Sequence, residues 1–224
     1  MRQTIFLMIL TSVLVGCSSI HKQKIQYKTN DLPVVSSVIP ISVCVKEFAD
    51  IRRDYGENWI LFEKDKKARK DERPICINSE KYYNEGTVSK QISSMLVDHL
   101  NEVGLFGKTT LNDDSQTDYY LTGKLVSFSA MQLMGRGNNL ELERAISVRE
   151  LKTSAEIKIE IKDMVLLDKS GKVIKEIGGY SQVFSEDMEM DEFCWCIFKN
   201  VNEKLKEFNQ GVIAKLEEEL RTLK

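Results

Sequence analysis

Two periodicities alternate along the chain. In VIPISVCVKEF, Ile41, Val43 and Val45 recur at every second position while Cys44, Lys46 and Phe48 fall on the opposite face, which predicts a first strand. ADIRRDYGENWILFEKDKKARKDERPIC then breaks the pattern with Gly56, a charged run and Pro74, a long excursion from the core in which WILFE has the makings of a short strand. From Thr87 the step changes. Val88, Ile92, Met95, Leu96, His99 and Val103 follow three- and four-residue spacing, and Gly104 stands where a helix C-cap belongs. DYYLTGKLVSFSAMQLM is rich in aromatic and β-branched residues and reads as a strand, followed by a turn at GRGNN. The clearest alternation sets Ala155, Ile157, Ile159 and Ile161 against Glu156, Lys158, Glu160 and Lys162, one face buried and the other wet. A turn at Lys169-Ser170-Gly171 leads into a partner strand, predicting an antiparallel hairpin over residues 153–184. The final stripe, Ile197, Val201, Leu205, Phe208, Val212, Leu216, Leu220 and Leu223, has a mean step of about 3.7 residues, nearer the helix repeat than the coiled-coil repeat. It should therefore pack on the protein's own sheet. The predicted class is α+β, a mostly antiparallel sheet with two main helices on one face.

The chain opens differently. Arg2 supplies a short positive start, and Ile5 to Val15 form an apolar stretch too short to span a bilayer comfortably. The stretch ends in Leu14-Val15-Gly16-Cys17, with Ser18 and Ser19 behind it. A leucine three residues before a cysteine, with small or modest residues between, resembles the lipobox of bacterial lipoproteins, whose cysteine is lipidated and becomes the new amino terminus. That resemblance implies a signal peptide over 1–16 and lipidation of Cys17; the polar stretch behind it, with no periodic face, reads as a flexible tether over 17–37 ahead of a single domain over 38–224. Two or three acyl chains, at about 0.8 kcal/mol per buried methylene, hold a protein on a membrane far better than one. If the source is Gram-negative, Ser18 in place of aspartate implies the outer membrane, facing the periplasm; the alternative is a Gram-positive surface lipoprotein.

Removing residues 1–16 leaves 208 residues, enough for one domain with a real core. With 42% hydrophobic and 29% charged residues the composition is globular, and a formal charge of −2 for the whole chain gives no footprint for bulk nucleic-acid binding. No second apolar run approaches membrane-spanning length.

Residues that could carry chemistry are few. Of the two histidines, His21 lies in the tether and His99 on the apolar face of the first helix, which predicts a partly buried core residue rather than a catalytic base or ligand. None of the nucleophile-elbow, zinc-helix, phosphate-loop or dinucleotide-loop spacings occurs. Paired acids such as Asp113-Asp114 and those of SEDMEMDE read as capping and helix-dipole residues. The expectation is no catalytic residue, no cofactor, no metal.

After Cys17, four cysteines remain, Cys44, Cys76, Cys194 and Cys196, an even number in an oxidising compartment. On a helix Cys194 and Cys196 would lie about 200° apart and should not pair with each other. Cys76 or Cys44 joined to one of them would close a loop of over 100 residues, worth about 4–5 kcal/mol on the chain-entropy model. Cys76 with the CWC pair is favoured; buried thiols acting as small hydrophobes are the alternative.

Two segments could bind a partner. KDKKARKDER, residues 64–73, includes Lys66, Lys67, Arg69 and Lys70, and is either a solvated loop or a contact for anionic lipid headgroups or an acidic partner. In MQLMGRGNNL, Met131, Leu133, Met134 and Leu140 flank a glycine turn that carries Arg136, and either tuck into the core or form a pliable docking surface.

Three pieces together carry a family resemblance: ISVCVKEFADIRRD as a first strand, LVDHLNEVGLF as a helix end, and TDYYLTGKLVSFS as the next strand. Their order and spacing resemble envelope lipoproteins of the YajG type and the auxiliary lipoproteins of ABC-type transport systems, whose α+β domain is akin to the TolB amino-terminal domain. Gly104-Leu105-Phe106 and Asp118, Tyr119, Leu121, Gly123, Leu125 and Phe128 fit that pattern over roughly residues 38–180. The insertion at 64–73 and the CWC helix depart from it.

The resemblance implies a non-enzymatic accessory protein of an envelope transport or assembly system, membrane-bound through its lipid and acting on another envelope protein. The alternatives are an immunity or inhibitor lipoprotein directed at a toxin or hydrolase, a lipid-binding envelope protein, and a hydrolase with an unrecognised site. Oligomeric state is left open.

Overall fold

A computed structural model describes residues 38–52, 72–74, 86–113, 115, 117–134, 152–189 and 195–221. The polypeptide forms β1 (Ile39–Val45), β2 (Ala49–Asp50), β3 (Glu72–Pro74), α1 (Val88–Val103), β4 (Phe106–Leu111), β5 (Tyr119–Met134), β6 (Lys152–Asp168), β7 (Val173–Glu189) and α2 (Trp195–Leu220).

Helix α1 starts and stops where its sequence says it should. The Thr87 hydroxyl accepts from the Lys90 amide at 3.0 Å and donates to Glu47 at 2.6 Å, satisfying one of the amides that a helix start leaves without a partner. At the other end Gly104 adopts a left-handed conformation, φ 68°, and its N–H reaches the Leu100 carbonyl at 3.1 Å. The chain folds back at once, burying Leu105 and Phe106 beneath the helix end.

The sheet is mixed, which corrects the expectation of a mostly antiparallel one. Its order is β4-β1-β5-β6-β7, with β2 and β3 pairing to β5 off that path. β1 runs parallel to β4 on one flank, from Ser42 opposite Lys108 to Val45 opposite Leu111, and parallel to β5 on the other, from Val43 opposite Tyr119 to Val45 opposite Leu121. β4 was not expected at all: FGKTTL has no two-residue alternation, and its partner lies more than sixty residues earlier in the chain. Between β4 and β5 the chain returns to β1, where Asn112 donates its amide to the Val45 carbonyl and Asp118 to that of Ser42. That return lets β5 run in the same direction as β4.

The antiparallel half matches its pattern. β6 and β7 form the hairpin around Lys169-Ser170-Gly171, with Asp168 accepting from the Ser170 and Lys172 amides at 2.8 and 3.0 Å. β7 continues to Glu189 rather than stopping at 184, so the acids of SEDME belong to a strand and not to a loop before the last helix. Gly123 lies beside a register shift in β5, and a Cβ there would meet Met164 and Ile161 side-chain carbons at 3.2 and 3.3 Å.

Both helices pack on one face. From α1 come Val88, Ile92, Leu96 and Leu100; from the sheet, Val43, Val45, Leu121, Leu125, Phe128, Ile157, Ile159 and Ile161; from α2, Val201, Leu205, Phe208, Val212, Leu216 and Leu220. Each is nearly or wholly inaccessible to solvent, and each full burial contributes about 1.5–3 kcal/mol before chain entropy is counted. Phe48, expected on the outer face of the first strand, lies past its end and turns into this core, where its amide donates to the Ser93 hydroxyl at 3.1 Å. The predicted apolar stripe of α2 faces the sheet, Ile197 and Leu223 lying where no side chain is described.

Candidate functional site

The long strands β5, β6 and β7 build an arm. Each has sixteen or seventeen residues, about 50 Å of extended chain. β1 accompanies only the first three residues of β5; beyond Leu121 the same edge of β5 is met by β2, at Lys124 and Leu125, and then by β3. The antiparallel β3 register sets Glu72 opposite Leu133, Arg73 opposite Gln132 and Pro74 opposite Met131.

This pairing joins two segments that sequence reasoning treated separately. The C-terminal end of the basic run at 64–73 is strand rather than loop, and it lies alongside Met131 and Leu133, which belong to the strand expected from DYYLTGKLVSFSAMQLM. On the other side of β5, Met131 is opposite Glu156, Leu133 opposite Ser154 and Met134 opposite Thr153, and β6 in turn pairs Ser154 with Asp187. The arm tip therefore gathers the ends of four strands. Lys66, Lys67, Arg69, Lys70 and Arg136 lie outside the described residues, as do Cys17, Cys76, Cys194, WILFE and GRGNN. Cys196 falls in the first turn of α2.

Polypeptide entry lies at the opposite end. β1 is parallel to β5, and its residue Val43 is already level with Tyr119, the first residue of β5. Val38, which precedes β1, is thus beyond the start of β5, while Met134 is at its finish.

The helix-free face of the arm is polar. Glu160 receives Lys158 at 2.7 Å and Lys162 at 3.1 Å, and these cations hold its carboxyl below the usual range, the Lys158 hydrogen bond leading. Lys124 pairs with Asp163 at 2.9 Å, and the Ser127 and Ser129 hydroxyls lie 3.2 Å apart. Near the sheet's other end, Asp118 accepts from the Ser42 amide and hydroxyl at 2.8 and 2.7 Å, which lowers its pKa. Asp113 accepts from the Ser115 amide at 3.1 Å, which lowers its pKa likewise. Asp113 thus caps a turn between two strands rather than a helix start, and Asp118 ties the start of β5 to β1. The hollow lined by Ser42, Lys108, Thr110, Asp113, Ser115 and Thr117 holds about 170 Å³ including space open to solvent, below the range of small-molecule sites.

His99 and Cys44 are both core residues. His99 is fully rather than partly buried, and burial, with a smaller repulsion from Lys206, pushes its imidazole pKa down to about 4. It is therefore neutral near pH 7. Cys44 is fully buried in β1, as expected of a cysteine acting as a small hydrophobe, its Sγ 3.9 Å from the Val45 carbonyl oxygen, while the favoured pairing of Cys76 lies outside the described residues. Among the described residues no group of three or more histidine, cysteine or acidic side chains has the spacing to hold a metal ion, and no helix is long and apolar enough to cross a membrane.

No protein-family model matches the chain. Nor does any curated protein match it in sequence. Solved structures align with it at low similarity. A Xanthomonas campestris protein of the DUF330 family is 9% identical, with a TM-score of 0.45, covering 91% of this chain and 99% of its own. PelC of Paraburkholderia phytofirmans, a dodecamer, is 11% identical with a TM-score of 0.33, covering 82% and 90%. A minor lipoprotein from Acinetobacter baumannii is 9% identical with a TM-score of 0.30, again covering 82% and 90%.

Proposed function

We propose that this protein is a lipid-anchored, non-enzymatic accessory protein of an envelope transport or assembly system, tethered through Cys17 at the periplasmic face of the outer membrane and acting by binding another envelope protein. The observation that carries the reading is the β3–β5 pairing, which sets the end of the basic run beside Met131 and Leu133 at the tip of the arm. Methionine-rich surfaces adapt to a partner, and a neighbouring charged segment steers its approach. The chain enters the domain at the other end of β5, so the tether from Cys17 joins the domain at the end away from the tip. A lipid-carrying role draws no support from the space between sheet and helices, which Phe48, Phe128, Phe208 and their neighbours fill.

In-cell photocrosslinking tests this. A crosslinking residue at Gln132 or Leu133 should capture a transport or assembly component of the envelope, one at Lys108 should not, and Cys17→Ala should abolish capture while the fold persists. Capture of a soluble toxin or hydrolase, or full activity of Cys17→Ala, would contradict the reading.

A further inference from the structure

Among the described residues the sheet has two outer strands, β4 and β7, and they are guarded unequally. On β4 the side chain of Asn101, from the last turn of α1, accepts from the Thr109 amide at 3.2 Å and donates to the Thr109 carbonyl at 3.1 Å, filling two main-chain hydrogen bonds that an added strand would take. Lys108 adds a charge to the same short strand. Both devices keep an edge from pairing. β7 is guarded over its N-terminal half alone, where register shifts interrupt the ladder with β6 between Val173 and Tyr180 and Gly178 has φ 83°. From Tyr180 to Ser185 the ladder runs without a break, about 20 Å of straight edge. This stretch holds no proline, no glycine and no charged residue.

Its outward side chains read the same in both directions. On the helix-free face a half-exposed Val183 stands between the exposed Ser181 and Ser185. On the other face Phe184 is buried and Tyr180 packs on Phe208. An antiparallel copy of the strand centred on Val183 sets that valine against itself and each Ser181 against the Ser185 of the other copy. The valines cover each other, and the paired hydroxyls hydrogen-bond across the strands. The neighbouring cations are already engaged within the chain. Lys158, opposite Val183 on β6, is held by Glu160 at 2.7 Å, and the Lys204 ammonium lies 5.2 Å above the Phe184 ring and 3.3 Å from Glu207.

We propose that the Tyr180–Ser185 edge takes a second copy of this chain, β7 against β7 about a two-fold axis at Val183, joining the two sheets into one. The proposal rests neither on the arm tip nor on the lipid. Main-chain hydrogen bonds supply the contact, and because the same patch is used on both sides it closes at two copies. An edge without charge favours neither a basic nor an acidic foreign segment, whereas its own pattern matches it residue for residue.

The test uses the full chain in detergent micelles. Directly opposed residues of antiparallel strands have Cα atoms about 4.5–5.5 Å apart, within the roughly 4.4–6.8 Å that a disulfide bridges. On oxidation with copper phenanthroline, Val183→Cys should therefore give a covalent dimer well above the background set by the parent's own cysteines. Ser181→Cys alone should give at least tenfold less, and an equal mixture of Ser181→Cys and Ser185→Cys should give the mixed dimer. Without oxidant, sedimentation should show a dimer whose dissociation constant Val183→Lys raises tenfold or more with the far-ultraviolet spectrum unaltered, and dimer formation should slow amide hydrogen exchange within 180–185 while leaving 106–111 unchanged. A monomer at every concentration, a dimer untouched by Val183→Lys, or crosslinking of Ser181→Cys as complete as that of Val183→Cys would overturn the proposal.

Discussion

His99 should make the domain lose stability between pH 7 and pH 4. Its imidazole pKa is pushed from 6.5 to about 4 by burial, with Lys206 adding repulsion. Below pH 6.5 the unfolded chain binds a proton that the folded chain refuses, so stability falls with falling pH through that window and levels off below about 4. Carried to completion, the shift is worth about 3 kcal/mol, and at pH 5 about 2 kcal/mol has been lost. Neighbouring acids act elsewhere or in the other direction. Burial raises the Asp98 pKa, so that group favours the folded state as pH falls. Asp50 and Glu160, held low, withdraw their support only as pH falls below the ordinary carboxylate range. The assay is urea unfolding at pH 7.5, 6.5, 5.5 and 5.0 of the parent and of His99→Leu. With a urea slope of about 2 kcal/mol per molar, the parent midpoint should fall by about 1 M over that range, and that of His99→Leu by much less. Parallel curves for the two proteins would refute the reasoning, whatever offset the substitution introduces at neutral pH.

Three further outcomes follow from the packing. Gly211→Ala should lower the melting temperature despite alanine's better helix propensity, because its Cβ would fall on the Tyr180 hydroxyl and ring, which rest against Phe208; we expect a loss of about 2 kcal/mol, and a raised midpoint would refute it. Thr87→Ala should cost about 1 kcal/mol by denaturant unfolding, since the helix start loses its cap and Glu47 a hydrogen bond. Cys44 should stay unmodified by iodoacetamide in the folded protein and react in urea, read by peptide mass spectrometry, because its thiol is buried in β1.

The elements that announced themselves in sequence are those whose signals are local. Thr87 and Gly104 bracket α1 because capping is decided within a few residues, and the isoleucines of β6 alternate because one face is buried along its length. β4 stayed hidden for the opposite reason. A short edge strand with Lys108 and two threonines needs no alternation, and its parallel pairing with β1 is fixed by α1 lying between them rather than by any residue within it. β3 was masked by charge, Glu72 and Arg73 reading as the end of a solvated run until β5 is alongside. Met131 and Leu133 were legible as candidate binding residues, but the pairing that sets Glu72 and Pro74 opposite them was not, because about sixty residues separate the paired strands. The β7 edge left one faint trace, a strand pattern running past 184 into acids that capping logic explained too readily.

The overlap between β1 and β5 also fixes how the domain would carry load. A pull applied between the start of β1 and the far end of β5 acts on two parallel strands in opposite directions, and only three register pairs join them. That is a shearing geometry, in which the pairs share the force and fail together, whereas a force that separates the open ends of β6 and β7 beside the tip would unzip their ladder one pair at a time. The short splice and not the long arm is then the mechanical fuse under such a pull, and lengthening it, rather than strengthening the hairpin, would raise the force at which the start of β1 and the tip come apart.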